Sequence, residues 1–372
     1  MNIDTRLTEI YDKVTQKAEA ECIRLGDKIP YIPKEGVYQE DMGTTDIAWW
    51  TNGFWPGMLW QLYHATKNNL YREAAEGVEN RLDLALEQFE ELHHDVGFMW
   101  LGSSVSDWRL TGNPISKRRG LHAATLLAGR FNIRGSYIRS WNDDKVGWVI
   151  VDSLMNLGIL YWASEVTGDP RFRFIAEAHA DTVLKNIVNT DYSCAHIAVL
   201  NPENGNLETT LGGQGYQQGS AWSRGQSWAL YGFILSYVHT KKESYLEVAR
   251  NIGRYFISEV EKTGYVPVID FKAPLEPKRD DTTAALCAVC GMLELAKQTQ
   301  GTEAQYWQEN AEKILLASCD KWADYNPCTD GILGGGTVAY HNPEYQQVPI
   351  IYGDYFLIEA LVRLEGKDFL LW

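Results

Sequence analysis

The chain has 372 residues, 45% of them hydrophobic and 22% charged, the balance of an ordinary soluble globular protein. Its 34 basic and 49 acidic residues give a formal charge of −15, which argues against nucleic acid or an anionic membrane as a general partner. No apolar run is long enough to cross a bilayer, and Met1 to Arg24 lacks the basic-then-apolar order of a secretory signal, so a cytoplasmic location is expected.

From the N-terminus, the first cluster of note is Ala48-Trp49-Trp50-Thr51-Asn52-Gly53-Phe54-Trp55. Most of the 14 Trp and 20 Tyr serve packing, but aromatics broken by polar residues and glycine read as platforms for the apolar faces of sugar rings. A repeat begins at Gly57: a glycine opens an apolar stretch, a helix ends near a Thr, and an aromatic opens a second helix. The copies are Gly57…Thr66…Tyr71, Gly158…Thr167…Phe172, Gly232…Thr240…Tyr245 and Gly291…Thr299…Tyr306, with Gly-to-aromatic distances of 14, 14, 13 and 15 residues. Two weaker copies start at Gly102, which keeps a distance of 9 to Thr111, and at Gly353, whose copy runs to Phe369. Links such as Thr167-Gly168-Asp169-Pro170 carry the usual stop and start residues of helices.

Strand signals are sparse: only Ala195–Leu200 and Tyr265–Asp270 read as short strands or extended loops. Six helical hairpins predict an all-α (α/α)6 barrel, a closed ring of two helical layers, occupying residues 1–372 as one domain. Cys287 and Cys290 form a CxxC, but within the apolar run Thr282–Leu295, so they read as buried helix residues.

The residues preceding each apolar stretch would share one rim of such a ring. They are Trp49–Asn52, His93-His94-Asp95, Asp152-Ser153, Trp222-Ser223-Arg224, Arg279-Asp280-Asp281 and Tyr352-Gly353-Asp354. Any one of these carboxylates has an alternative reading as a helix cap. Together with Arg and aromatics they point to a site. No His/Asp/Glu set has metal-ligand spacing and no glycine loop suits a phosphate, so neither metal nor cofactor is expected.

The chain resembles the unsaturated glucuronyl hydrolases, glycoside hydrolase family 88. The resemblance rests on Trp50–Gly57, His93–Phe98, Val151–Leu157, Asn201–Asn206, Gly219–Trp228 and Gly353–Leu361. It implies hydration of the C4–C5 double bond of a terminal unsaturated uronate on oligosaccharides made by polysaccharide lyases. Asp152 matches the general acid/base and Asp95 the second carboxylate. His196, Gln214, Arg224 and Trp228 match substrate-contacting positions, and Trp50, Trp141 and Trp228 are candidate stacking platforms. Tyr340 and His341 match a loop that contacts the second sugar, and His94 adjoins Asp95. Arg224 and Gln214 suit the uronate carboxylate and hydroxyls. Asn52 stands where relatives can have Asp and is given no catalytic duty. Some relatives that accept sulfated fragments carry a Ser-x-x-Ser-x-Lys stretch; the corresponding His341–Gln346 has neither serine nor lysine, and Glu344 instead, which implies a preference for unsulfated substrates. The unsaturated rhamnogalacturonyl hydrolases are the nearest alternative. Another (α/α)6 sugar enzyme is a further alternative, and a carbohydrate-binding protein without catalysis is disfavoured by the two carboxylates.

Overall fold

A computed structural model describes residues 3–274 and 276–372. In chain order the longer helices are α1 (Ile3–Leu25), then, after the short α2 (Met42–Thr45), α3 (Phe54–Thr66) and α4 (Asn69–Gln88). Next come α5 (Val96–Trp100) and α6 (Ser106–Thr111), joined by a π-helical stretch Leu101–Val105, and then α7 (Pro114–Gly129). The turn α8 (Ser153–Asn156) runs into α9 (Gly158–Thr167), followed by α10 (Arg171–Asn186), α11 (Ser223–Thr240) and α12 (Glu243–Glu261). The chain ends with α13 (Thr282–Gln298), α14 (Gly301–Trp322) and α15 (Ile351–Leu364).

These form the (α/α)6 barrel. The inner layer runs α3, α5–α6, α8–α9, α11, α13, α15 and closes back on α3. The burial pattern follows from this arrangement. Every residue of α11 from Ser223 to Ser236 and of α13 from Thr282 to Leu295 is buried, as expected of helices covered on all sides. The outer α12 buries one stripe, including Leu246, Ile252, Phe256 and Val260. Cys287 and Cys290 lie inside α13, where burial pushes both thiols well up, so they are packing residues.

The repeated glycines are the points at which neighbouring inner helices touch. A Cβ on Gly102 would lie 2.1 Å from the Gly53 carbonyl oxygen, and one on Gly232 would lie 2.4 Å from the Leu154 Cβ. Neither leaves room for a side chain, so the repeat records close approach around the ring.

The sixth hairpin differs from the sequence expectation. No second helix follows α15: Gly366 takes a left-handed conformation and the last residues turn into the base of the ring. Trp372 is buried there against Phe54, Phe98 and Phe356, and its Nε1 donates to Glu359 Oε2 at 2.9 Å. The outer partner of α15 is α1 instead, tethered where Thr8 Oγ1 donates to Glu365 at 2.8 Å; α1 also holds the loop before α15, where the Gly331 amide donates to Glu21 at 2.8 Å.

Five short strands decorate the rim: β1 (Phe131–Asn132), β2 (Tyr137–Ile138), β3 (Trp148–Ile150), β4 (Ile197–Leu200) and β5 (Leu207–Leu211). The stretch Ala195–Leu200 thus contains β4, whereas Tyr265–Asp270 makes only isolated bridges, Val268 to Asp280 and Trp222 to Asp270. Antiparallel β3 and β4 pair Ile150 with Ile197, and the Val151 amide donates to the His196 carbonyl at 3.0 Å. That register sets Asp152 beside His196.

Candidate active site

Five rim aspartates separate into two kinds. Asp281 caps α13 through the Thr283 amide, Asp354 accepts the Ile332 and Leu333 amides at 3.0 and 2.8 Å, and Asp280 is held by Lys321 and Trp322. These three hold the scaffold. Asp95 and Asp152 also occupy helix-start positions, before α5 and α8, yet neither side chain makes a capping hydrogen bond. The capping alternative therefore fails for the two carboxylates that the family resemblance singles out.

The pair is joined through His94. Its Nε2 lies 3.4 Å from Asp95 Oδ2 and 3.7 Å from Asp152 Oδ1, while His93 Nδ1 lies 3.2 Å from Asp95 Oδ2. Asp95 Oδ1 accepts from Asn156 Nδ2 at 3.0 Å, and Asn156 Oδ1 accepts the Phe98 amide at 2.7 Å. Asn156 thus clamps the Asp95 turn to the Asp152 turn. Gly97 makes the clamp possible, since a Cβ there would lie 2.5 Å from the Asn156 Cα.

The same environment drives the two carboxylates in opposite directions. Burial raises Asp152, the nearby His94 opposes it and the Asp95 charge adds to it, leaving its pKa raised to about 7. Asp95 is buried too, but His94 and His93 hold it far below the usual carboxylate range. Burial pulls His94 down, and the two carboxylates more than offset this, so its pKa is raised. The arrangement favours an ionised Asp95 and a protonated His94, and leaves Asp152 poised to titrate near neutrality. Among the described residues Asp152 Oδ1 has no hydrogen-bond partner, and 18% of the side chain is exposed.

That exposure opens into a cavity of about 410 Å³ at the rim, walled by Trp49, Trp50, Trp141, Trp222 and Trp228. Of the expected residues, Trp50, Asp95, Trp141, Asp152, His196, Gln214, Arg224 and Trp228 all line it. His94 stands directly behind the carboxylates, fully buried. Trp50 and Trp141 are half-buried walls, whereas Trp228 is covered by Phe98 and Phe356 and forms the base.

The His196 Nδ1 accepts the Gln214 amide at 2.8 Å, and burial next to Arg224 depresses its pKa to about 3. The imidazole is therefore neutral, with its proton on Nε2. The Arg224 guanidinium is largely spent within the protein: it pairs with Asp281 at 2.7 Å and donates to the Thr337 and Val338 carbonyls at 2.8 and 2.6 Å.

Two expected residues lie elsewhere. Tyr340 is buried and turned toward Tyr216, with Arg279 over its ring, and exposed His341 places Nε2 2.7 Å from the Tyr216 carbonyl oxygen. Neither lines the cavity, because the loop folds its aromatics onto Tyr216. It reaches the site indirectly, where the Tyr340 amide donates to the Gln214 carbonyl at 2.8 Å.

Sequence reasoning placed His93 and Trp222 on the rim without giving them a role, and passed over Asn156 and Lys145. The Lys145 Nζ lies 4.6 Å from the Trp141 ring centroid, at the cavity mouth. The signal for His93 was adjacency to Asp95; Asn156 had no local signal. The sequence spacing gives no metal-ligand set, but the fold brings three such side chains together. Among the described residues, atoms of His93, His94 and Asp95 lie within 4.8 Å of one another. Both imidazoles are directed at one carboxylate oxygen, Asp95 Oδ2, at 3.2 and 3.4 Å.

A ring of helical hairpins with a carboxylate pair in an aromatic-walled cavity places the chain among the (α/α)6-barrel proteins with an acidic rim site. No family model matches the chain. It is 34% identical over 352 residues to an unsaturated glucuronyl hydrolase of Bacillus sp. strain GL1, with 92% of each chain covered. It is 31% identical over 351 residues to an unsaturated chondroitin disaccharide hydrolase of Streptococcus pneumoniae, covering 92% of this chain and 88% of that one. The crystal structure of the Bacillus enzyme, described as responsible for glycosaminoglycan degradation, superimposes with a TM-score of 0.91 at 32% identity, covering 96% and 97% of the two chains. A Streptococcus agalactiae unsaturated glucuronyl hydrolase gives 0.92 at 25% identity, covering 100% and 94%. The chain belongs to the unsaturated glucuronyl hydrolase family. No helix among the described residues is long and apolar enough to cross a membrane.

Proposed function

We propose that the enzyme removes terminal 4,5-unsaturated uronic acids from lyase-made oligosaccharides by hydrating the C4–C5 double bond, with Asp152 as general acid and then general base. The observation that carries this is the free, cavity-facing Asp152 carboxyl held near pH 7 beside an ionised partner. The substrate double bond is an enol ether. Its electrons take the Asp152 proton at C4, leaving a cation at C5 shared with the ring oxygen. Water adds at C5 and returns a proton to the Asp152 carboxylate. The resulting hemiketal opens and releases the remaining saccharide. Cationic His94 stabilises the Asp152 anion between the two proton transfers, and Asp95 keeps His94 charged.

Recognition of the uronate carboxylate falls to the His196 Nε2–H and the Gln214 side-chain amide, with Arg224 supplying nearby positive charge. Trp50 and Trp141 flank the rings. Loss of the enol-ether absorbance of an unsaturated disaccharide tests the reading. A saturated β-glucuronide cleaved in preference would overturn it.

The proposal extends to a preference for unsulfated second sugars. It is supported by the absence of serine and lysine from His341–Gln346, since a sulfate there would find no hydroxyl or ammonium group. Glu344 is exposed and off the cavity wall, so the preference comes from missing contacts more than from repulsion. A variant of the S. agalactiae enzyme is described in complex with dGlcA-GalNAc6S. Comparing kcat/KM on unsulfated and 6-sulfated unsaturated chondroitin disaccharides decides the point; equal rates would refute it.

A further inference from the structure

Beside the active-site cavity, on the same rim, lies a second cavity of about 310 Å³. Its base is apolar, from Val268, Ile269 and Phe271, and its edge carries Lys262, Lys278 and Arg279. The two cavities adjoin: Tyr340 of the second donates its amide to the carbonyl of Gln214 of the first at 2.8 Å, and Trp222 of the first bridges Asp270 of the second.

The charges here are unusual for a chain of net charge −15. The half-buried Arg279 donates to the Tyr340 carbonyl at 2.7 Å and lies 4.8 Å from that ring's centroid, and among the described residues it has no carboxylate partner. Exposed Lys278 makes a loose ion pair at 3.9 Å with Asp280 Oδ1, while Lys321 and Trp322 hold the other oxygen, Oδ2. Lys262 is neutralised by Glu259 at 2.7 Å. The one remaining acid is Asp270, whose oxygens accept from the Tyr216, Ala221 and Lys272 amides and the Ser220 hydroxyl. Arg279 therefore borders the cavity with no carboxylate partner among the described residues, and Lys278 has only a loose one.

We infer that this cavity is a subsite for the third sugar of a longer substrate, and that Arg279 and Lys278 take that sugar's carboxylate. The inference rests on the activity proposed above. Lyase products of alternating uronate polymers carry a carboxylate on every second sugar, so a tetrasaccharide has one on its third. A planar guanidinium suits that group, and the apolar base suits the face of the ring.

The test compares kcat/KM on three substrates: the unsaturated disaccharide and tetrasaccharide from hyaluronan, and the tetrasaccharide dGlcA-Glc-Rha-Glc, whose third sugar is uncharged. A charge-assisted hydrogen bond predicts that the wild-type enzyme favours the hyaluronan tetrasaccharide over its disaccharide by about tenfold. Arg279→Gln should abolish most of that advantage and leave the dGlcA-Glc-Rha-Glc rate unchanged. Lys278→Gln, exposed and clear of the Tyr340 loop, should remove part of it and guards against a loop disturbed by the arginine change. Equal wild-type rates on the two hyaluronan fragments, or losses of equal size on all three substrates in both variants, would overturn the subsite. Inactivity on every unsaturated substrate would instead overturn the proposed reaction, and the subsite with it.

Discussion

Replacing His94 by Gln tests the charge arrangement at the carboxylates. Glutamine keeps a hydrogen-bond donor but loses the positive charge 3.7 Å from Asp152 Oδ1. At an effective dielectric of 20, two unit charges at that distance attract by about 4.5 kcal/mol. Even a third of this, about 1.5 kcal/mol, is worth about one pKa unit. The sign follows from the roles. Asp152 must be protonated to act, so activity is present below its pKa of about 7 and is lost as the pH rises through it. His94 favours the ionised form, so its removal raises that pKa further and moves the alkaline limb to higher pH. Asp95 stays ionised through His93 and Asn156, and so continues to push in the same direction. The assay is the pH dependence of kcat/KM on an unsaturated disaccharide, which reports the free enzyme. A limb that stays in place, or moves to lower pH, would show that His94 is uncharged in the active enzyme. Asp95→Asn should move the limb less, because it removes a repelling charge and also releases the His94 proton.

Asp152→Asn should lower turnover by about 10²–10⁴-fold with substrate binding retained, and near-normal turnover would remove Asp152 from the mechanism. Asn156→Ala unclamps the Asp95 turn and strips its carboxylate of a donor. The alkaline limb should shift along with the fall in rate, a signature that mere loss of stability does not produce. Trp372→Ala should cost about 3–5 kcal/mol of stability in chemical denaturation, since it empties the base of the ring; a change within 0.5 kcal/mol would show that the terminal residue does not plug the barrel.

Much of this protein is written in its one-dimensional pattern. The spacing from Gly57 to Tyr71 and its copies records helix, turn and helix, because helix length and punctuation are local properties. The glycine at each start is legible for the same reason: a position without a side chain recurs wherever inner helices must touch. Asp95 and Asp152 stood out by the blocks around them. Tertiary structure decided what sequence distance conceals. That α1 closes the ring beside α15 could not be read locally, because the pairing joins the two ends of the chain. Asp281 and Asp152 both precede a helix, and only packing shows that one carboxylate is spent on Thr283 and Arg224 while the other lines a cavity with Oδ1 lacking a hydrogen-bond partner among the described residues. Asn156 is an ordinary helix residue in the sequence; it becomes the clamp on Asp95 because Gly97 lets two turns meet. The physical reason is the same in each case. Local sequence sets backbone conformation, but a side chain's charge state and free valence depend on neighbours brought in from other hairpins.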